Sequence, residues 1–181
     1  VSVSAAFAVV NRIDDFAYTP EQNIAHAMTA LMAQNKGAGK IDRMKEGFRS
    51  GIILEIIYGI LIFIICFVFA RPLMLMFVKD EEVIGHGVTY LHLISVMYLL
   101  PALTNGIQGF FRGIGDLKIT LISSFINMAL RVLAAAPLVL IWKMGIEALP
   151  YSYLAGWIGM LVAETPLLLK TYKTWGKKAG Q

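Results

Sequence analysis

Charge is scarce in this chain. Asp, Glu, Lys and Arg make up 15% of its 181 residues, against about 25% in an ordinary soluble domain. With hydrophobic residues at 57% and a mean hydropathy of +0.68, that scarcity excludes a soluble globular domain and indicates an integral membrane protein. Cysteine is nearly absent too. The single Cys66 lies in the apolar run Ile64-Ile65-Cys66-Phe67, so one chain can build no disulfide framework, and zinc-ligand spacing is lacking. There is no signal-peptide pattern: the chain starts at Val1, directly in small and apolar residues, and reads as a piece of a longer protein.

Catalytic motifs are lacking as well. Gly37-Ala38-Gly39-Lys40 does not have the GxxxxGK[ST] frame of a phosphate loop and follows a helix where a strand is needed. Gly113-Ile114-Gly115 lacks the third glycine of a dinucleotide fingerprint. His26, His86 and His92 are not spaced as a metal site, and no nucleophile–base pair is visible. No enzyme activity and no cofactor are expected. The basic segment 36–49 serves as a topology signal and implies no nucleic acid.

What the chain has is apolar length. A bilayer crossing takes about 20 apolar residues, and five stretches qualify: 2–35, 50–70, 84–111, 119–142 and 148–169. The expected fold is all-α, a polytopic helix bundle with short connections and no separate soluble domain. Glu55 is the only charge between Gly51 and Ala70. A single helix over 2–35 would be about 50 Å long, so it must tilt, kink at Pro20 or protrude into water. Gly37 and Gly39 should stop it, and Pro72 should follow the end of the second helix. Gly47/Gly51 and Gly109/Gly113 match GxxxG at membrane edges, where dimerisation is one reading.

The charges alternate from loop to loop. Segment 36–49 is net +3, 71–82 net −1, 112–118 net +1, 143–147 neutral and the tail from Lys170 net +4. By the positive-inside rule, 36–49, 112–118 and the tail are cytoplasmic. This gives a multi-pass cell-membrane protein with its C-terminus inside. Trp142, Tyr151, Tyr153, Tyr172 and Trp175 suit the aromatic belts at the ends of the last two spans.

The exception to the apolar pattern is Asn11-Arg12-Ile13-Asp14-Asp15, inside the first span. An uncompensated charge at mid-bilayer costs about 2.5–3.5 kcal/mol on insertion scales, so such a cluster should face a protein-lined cavity. Helical spacing puts Asp14, Tyr18 and Glu21 on one face and Asp15, Thr19 and Gln22 on the neighbouring stripe, with His26 a turn beyond. Stacked carboxylates in a low-dielectric cleft can hold a proton or a small cation and attract a cationic substrate. The structural alternative pairs Arg12 or Arg131 with Asp14 or Asp15. Arg131 lies midway along the fourth span, near Asn127, too deep to snorkel. It should pair with a carboxylate, and the first span is expected to hold the only central ones. Pro20 should bend its helix and free a carbonyl near Phe16. Around Pro101, Tyr98, Asn105 and Gln108 can offer hydrogen bonds to a pore or tie helices together. The candidate ion and substrate cleft is therefore Arg12, Asp14, Asp15, Tyr18, Glu21, Gln22, Tyr98, Asn105, Gln108, Asn127 and Arg131.

Two longer motifs carry a family likeness. Pro20 followed by Ala33-Gln34-Asn35-Lys36-Gly37-Ala38-Gly39-Lys40, and Tyr90-Leu91 opening a span that ends Gly109-Phe110-Phe111-Arg112-Gly113-Ile114-Gly115-Asp116, resemble the multidrug and toxic compound extrusion (MATE) family. The resemblance covers nearly the whole chain. It implies a twelve-helix fold of two six-helix bundles forming a V around a central cleft. It also implies export of organic cations and other amphipathic compounds in exchange for protons or sodium. The chain then looks like helices eight to twelve, with the N-terminal lobe of the same protein and the bilayer as its partners. Some members place a cation-binding acid on helices seven and ten. Helix seven lies outside this chain, and the helix-ten equivalent carries no Asp or Glu, so the Asp14 cluster is left to attract substrate, couple the ion or both. A lipid-linked precursor flippase of similar architecture is the near alternative, although its cleft should be more basic to hold pyrophosphate. A non-catalytic membrane subunit or inactive fragment, and an intramembrane enzyme using His26 or His92, are the remaining classes.

Overall fold

A computed structural model describes residues 2–145 and 148–178, with side chains through 174. Trp175, Lys177 and Lys178 of the expected belt and basic tail lie outside the described side chains, and Glu147 lies outside the described residues. The described elements are all helical: α1 (Ser2–Gly37), α2 (Ile41–Val68), α3 (Ala70–Leu75), α4 (Glu81–Ser95), α5 (Leu99–Gly113), α6 (Leu117–Leu140) and α7 (Ala148–Lys178). Among the described residues, three helices are long and apolar enough to cross a membrane, namely α2, α6 and α7 through Thr174. The pair α4 and α5 makes a fourth span if taken together. At 36 residues α1 is long enough, but its polar centre keeps it out of that set.

The third expected span is not one helix. It breaks over residues 96–98 and bends by 48°. The break is a tightened turn in which Met97 N–H reaches the Ile94 carbonyl at 2.9 Å and Leu100 N–H reaches Met97 at 2.9 Å. Pro101 then sits in the first turn of α5, where its absent N–H removes no helical bond. Pro72 follows the end of the second helix as expected: α2 stops at Val68, and Pro72 falls within the short α3 that comes next. Pro20 lies inside α1, which continues through it. At the start of α4, the Asp80 carboxylate accepts from the Glu82 and Val83 amides at 2.9 and 3.3 Å, which caps exposed donors at the positive end of the helix dipole.

The two glycine turns share one geometry. After α1, Gly39 has φ +66°, and Lys40 N–H reaches back to the Asn35 carbonyl at 2.9 Å. After α5, Gly115 has φ +80°, and Asp116 N–H reaches Phe111 at 2.9 Å. Both are six-to-one closures that need a residue in the left-handed region. Lys36 Nζ donates to the Ile114 carbonyl and ties the two turns together.

The GxxxG glycines pack helices within the chain, in place of the dimer contact considered from sequence. A Cβ at Gly47 or Gly51 would meet Leu31 or Met28 of α1, and one at Gly109 or Gly113 would meet the Ala25 or Thr29 carbonyl oxygen at 2.6 Å. Small residues let membrane helices approach to backbone contact, and α5 uses them to sit at the centre of the bundle. The packing leaves two apolar clusters. One contains Val10, Ile13, Ala17, Ile84, Leu91, Ile94 and Tyr98. The other contains Met32, Met44, Ile107, Phe110 and Phe111, nearer the glycine turns. Outside, Ile57, Leu61, Leu121, Phe125 and Val132 are exposed, the inverse of a soluble helix and the surface expected against lipid.

Candidate functional site

The helical stripes read from sequence separate cleanly by burial. Asp14 and Glu21 face into the bundle at 6% and 0% exposure, with Tyr18 half-buried between them. Arg12, Asp15, Thr19 and Gln22 are exposed on the other side of α1. The Asp14 carboxylate is thus enclosed by the helices of this chain and does not look out into an open hollow. Its partner is the Tyr98 hydroxyl at the α4–α5 break, which donates to Asp14 Oδ1. Tyr98 is fully buried.

Aromatic rings surround this pair. Tyr18 stands edge-on to Tyr98 with centroids 5.6 Å apart and lies 6.4 Å from Trp157 of α7. Trp157 in turn lies 5.9 Å from Tyr153. The expected pairing of Arg131 with a first-span carboxylate is not formed. Its guanidinium lies 3.7 Å over the Tyr153 ring, and no ion pair involves it among the described residues. A ring face offers a deeply placed guanidinium attraction without a second buried charge, which explains how Arg131 is accommodated. Arg12 is exposed and likewise forms no ion pair among the described residues.

Beside this cluster, a cavity of about 220 Å³ between α5, α6 and α7 is lined by Pro101, Thr104, Asn105, Gln108, Ser124, Asn127, Trp157 and Met160. It gathers three of the sequence candidates, Asn105, Gln108 and Asn127. Trp157 joins it to the aromatic group around Asp14.

Two buried acids escaped the sequence reading as site residues. Glu55 of α2 and Glu164 of α7 are both fully buried, so the first span does not hold the only central carboxylates. Glu164 Oε1 accepts from Gln108 at 3.3 Å, which occupies Gln108 in a helix tie. The signal was present: a lone carboxylate in an apolar span is a functional-site flag by default. Of the histidines considered for enzyme chemistry, His26 is exposed and His92 half-buried, its ring against the Phe67 carbonyl at 3.0 Å.

This arrangement of helices, glycine turns and broken span can be compared with known proteins. The MatE family model matches residues 2–136. The chain belongs to the MATE family. Among curated relatives, the probable multidrug resistance protein YoeA of Bacillus subtilis is 30% identical over 184 residues, covering 98% of this chain and 38% of its own length. The probable multidrug resistance protein NorM of Thermotoga maritima is 25% identical over 173 residues, covering 92% and 36%. This chain therefore spans little more than a third of the length of the MATE relatives it matches.

Solved MATE structures share the fold. One described as MATE in the bent conformation superposes with a TM-score of 0.88 over 96% of this chain and 39% of its own, at 16% identity. The MATE transporter ClbM in complex with Rb+ gives 0.86 over 94% and 39%, also at 16%. An inward-facing multidrug resistance MATE transporter gives 0.84 over 91% and 37%, at 16% identity. The fold is thus part of a MATE lobe. The curated relatives are named as probable multidrug resistance proteins and the solved neighbours as MATE transporters.

Proposed function

We propose that this chain is helices eight to twelve, the greater part of the second lobe, of a cation-coupled multidrug antiporter in the cell membrane, with its C-terminus in the cytoplasm. The substrate class is organic cations and other amphipathic compounds. The observation that carries the reading is the Asp14 carboxylate buried inside a lipid-facing bundle and held by Tyr98 at the helix break. An ionised carboxylate in such a place has a large desolvation penalty unless it is compensated. A proton or sodium ion arriving at Asp14 therefore changes the energy of the α1–α5 contact. Alternating access follows if the ion binds one arrangement of these helices more tightly than the other.

The substrate reading rests on Trp157 and Tyr18, aromatic surfaces suited to a cation, and on the amides of Asn105 and Asn127. At about 220 Å³ the cavity is smaller than the roughly 300–1,000 Å³ of a complete ligand site. It suits a half-site closed by the N-terminal lobe of the same protein. Its lining is neutral and lies beside Asp14, which runs against a pyrophosphate-holding flippase.

The test is Asp14→Asn in the full-length protein, assayed for drug efflux from cells and proteoliposomes with imposed proton or sodium gradients. The expected result is normal membrane insertion with loss of the gradient-dependent component. Gradient-dependent efflux equal to wild type would remove Asp14 from the mechanism.

A further inference from the structure

Glu21 and Glu55 are both fully buried, and their four carboxylate oxygens form no hydrogen bond of ordinary geometry, the Asn105 amide being a donor close to Glu21. No Lys, Arg or His forms an ion pair with either among the described residues. The helix registers bring them together. Along the antiparallel pair α1 and α2, Tyr58 Oη donates to the Ala17 carbonyl at 3.0 Å, and Gly51 packs on Met28. Between those two contacts the register places Glu21 opposite Glu55. From α5, a Cβ added at Gly106 would lie 3.5 Å from Glu55 Cγ, and Asn105 lies beside Glu21. Apolar clusters lie on either side of this level along α1, with Ala17 in one and Met32 in the other.

Two ionised carboxylates cannot face each other there without compensation. We propose that Glu21 and Glu55 form a second proton site inside the lobe, at which the facing carboxylates together retain one exchangeable proton. A proton needs only the carboxylates themselves. A hard metal ion gathers about six or more oxygen ligands, and among the described residues no group of three or more His, Cys, Asp or Glu could hold one. Asn105 also lines the cavity between α5, α6 and α7, which gives the proton a polar exit. The Tyr18 hydroxyl, buried without a partner, lies on the same face towards Asp14.

The titratable groups that interact with Glu21 from the packed elements are Tyr18 on α1 and Tyr58 on α2; Asp14 lies further along α1, and Glu164 of α7 is held by Gln108 of α5. Loss of the retained proton leaves two negative charges pressing α1 from α2. The site is therefore a switch on the contact between these helices, separate from Asp14 and requiring nothing of transport.

The test is thermal unfolding of the purified full-length protein from neutral to alkaline pH, in choline chloride and in sodium chloride. Wild type should lose several degrees of Tm as the proton leaves. Glu21→Gln and Glu55→Gln, each lacking the second charge, should flatten that fall, and Asp14→Asn should keep it. A fall equally steep in both Gln variants, or abolished by Asp14→Asn, overturns the proposal. Rescue of wild type at alkaline pH by sodium but not choline assigns the site to a metal ion and overturns it too. Should the Gln variants fail to fold, infrared spectra of wild type decide. A protonated-carboxyl band that disappears in step with the Tm fall supports the site, and its absence refutes it.

Discussion

Tyr98 and Asp14 are joined by a hydrogen bond across an 84-residue separation, and that offset recurs down the whole interface. It sets Gly109 against Ala25 and Gly113 against Thr29, so α1 and α5 run parallel in fixed register from the buried acid to the paired glycine turns. Tyr98 lies at the helix break over 96–98, and its hydroxyl reaches α1 there. A change of state at Asp14 therefore acts on a helix pair that is locked at its other end by Lys36 on the Ile114 carbonyl.

That lock makes the Tyr98–Asp14 pair measurable. Tyr98→Phe leaves Asp14 without its donor and should lower stability by about 1.5–3 kcal/mol. Asp14→Asn should also destabilise. The double variant should lose less than the two singles together, by a coupling of about 0.5–3 kcal/mol. Denaturation of the detergent-solubilised full-length protein gives all three values, and strict additivity would mean that the two side chains act independently.

Gly109 offers a packing test. A Cβ there would stand 2.6 Å from the Ala25 carbonyl oxygen, whereas at Gly85 nothing lies within 4 Å. Gly109→Val should destabilise by about 1–3 kcal/mol or more, because backbone cannot rotate away. Gly85→Ala, inside α4, should instead gain about 0.5–1 kcal/mol from helix propensity. Paired Tm measurements check the contrast, and equal shifts would refute the close α1–α5 approach.

The third prediction concerns Arg131. With its guanidinium 3.7 Å over Tyr153, Tyr153→Phe should keep the stability of wild type, since the ring face is retained. Tyr153→Leu should cost about 0.5–2 kcal/mol, and that cost should vanish in an Arg131→Met background. A cost that persists there would mean Tyr153 acts by packing alone.

The stripe of Asp14, Tyr18 and Glu21 was legible because helix periodicity alone decides which residues share a face. Which way that face points was not legible. Burial of Asp14 depends on Tyr98, and their meeting depends on the bend before Pro101, a local break that hydropathy cannot register. Arg131 misled for a similar reason. Charge complementarity suggested a carboxylate, but the ring that Arg131 meets belongs to α7, and only the α6–α7 packing brings it there. Glu55 and Glu164 stood in plain view in apolar spans, and only their enclosure marked them as central.

Composition, the run lengths and the glycine turns were enough to determine a helical membrane bundle of the MATE kind. Apolar surface must face lipid, and a left-handed glycine closes α1 and α5. These are local requirements that each segment meets by itself. The tertiary structure alone decided which carboxylates are enclosed and which side chains face them. Those outcomes depend on the register between helices far apart in the chain, where a shift of one residue would turn Glu21 away from Glu55 and Tyr98 away from Asp14.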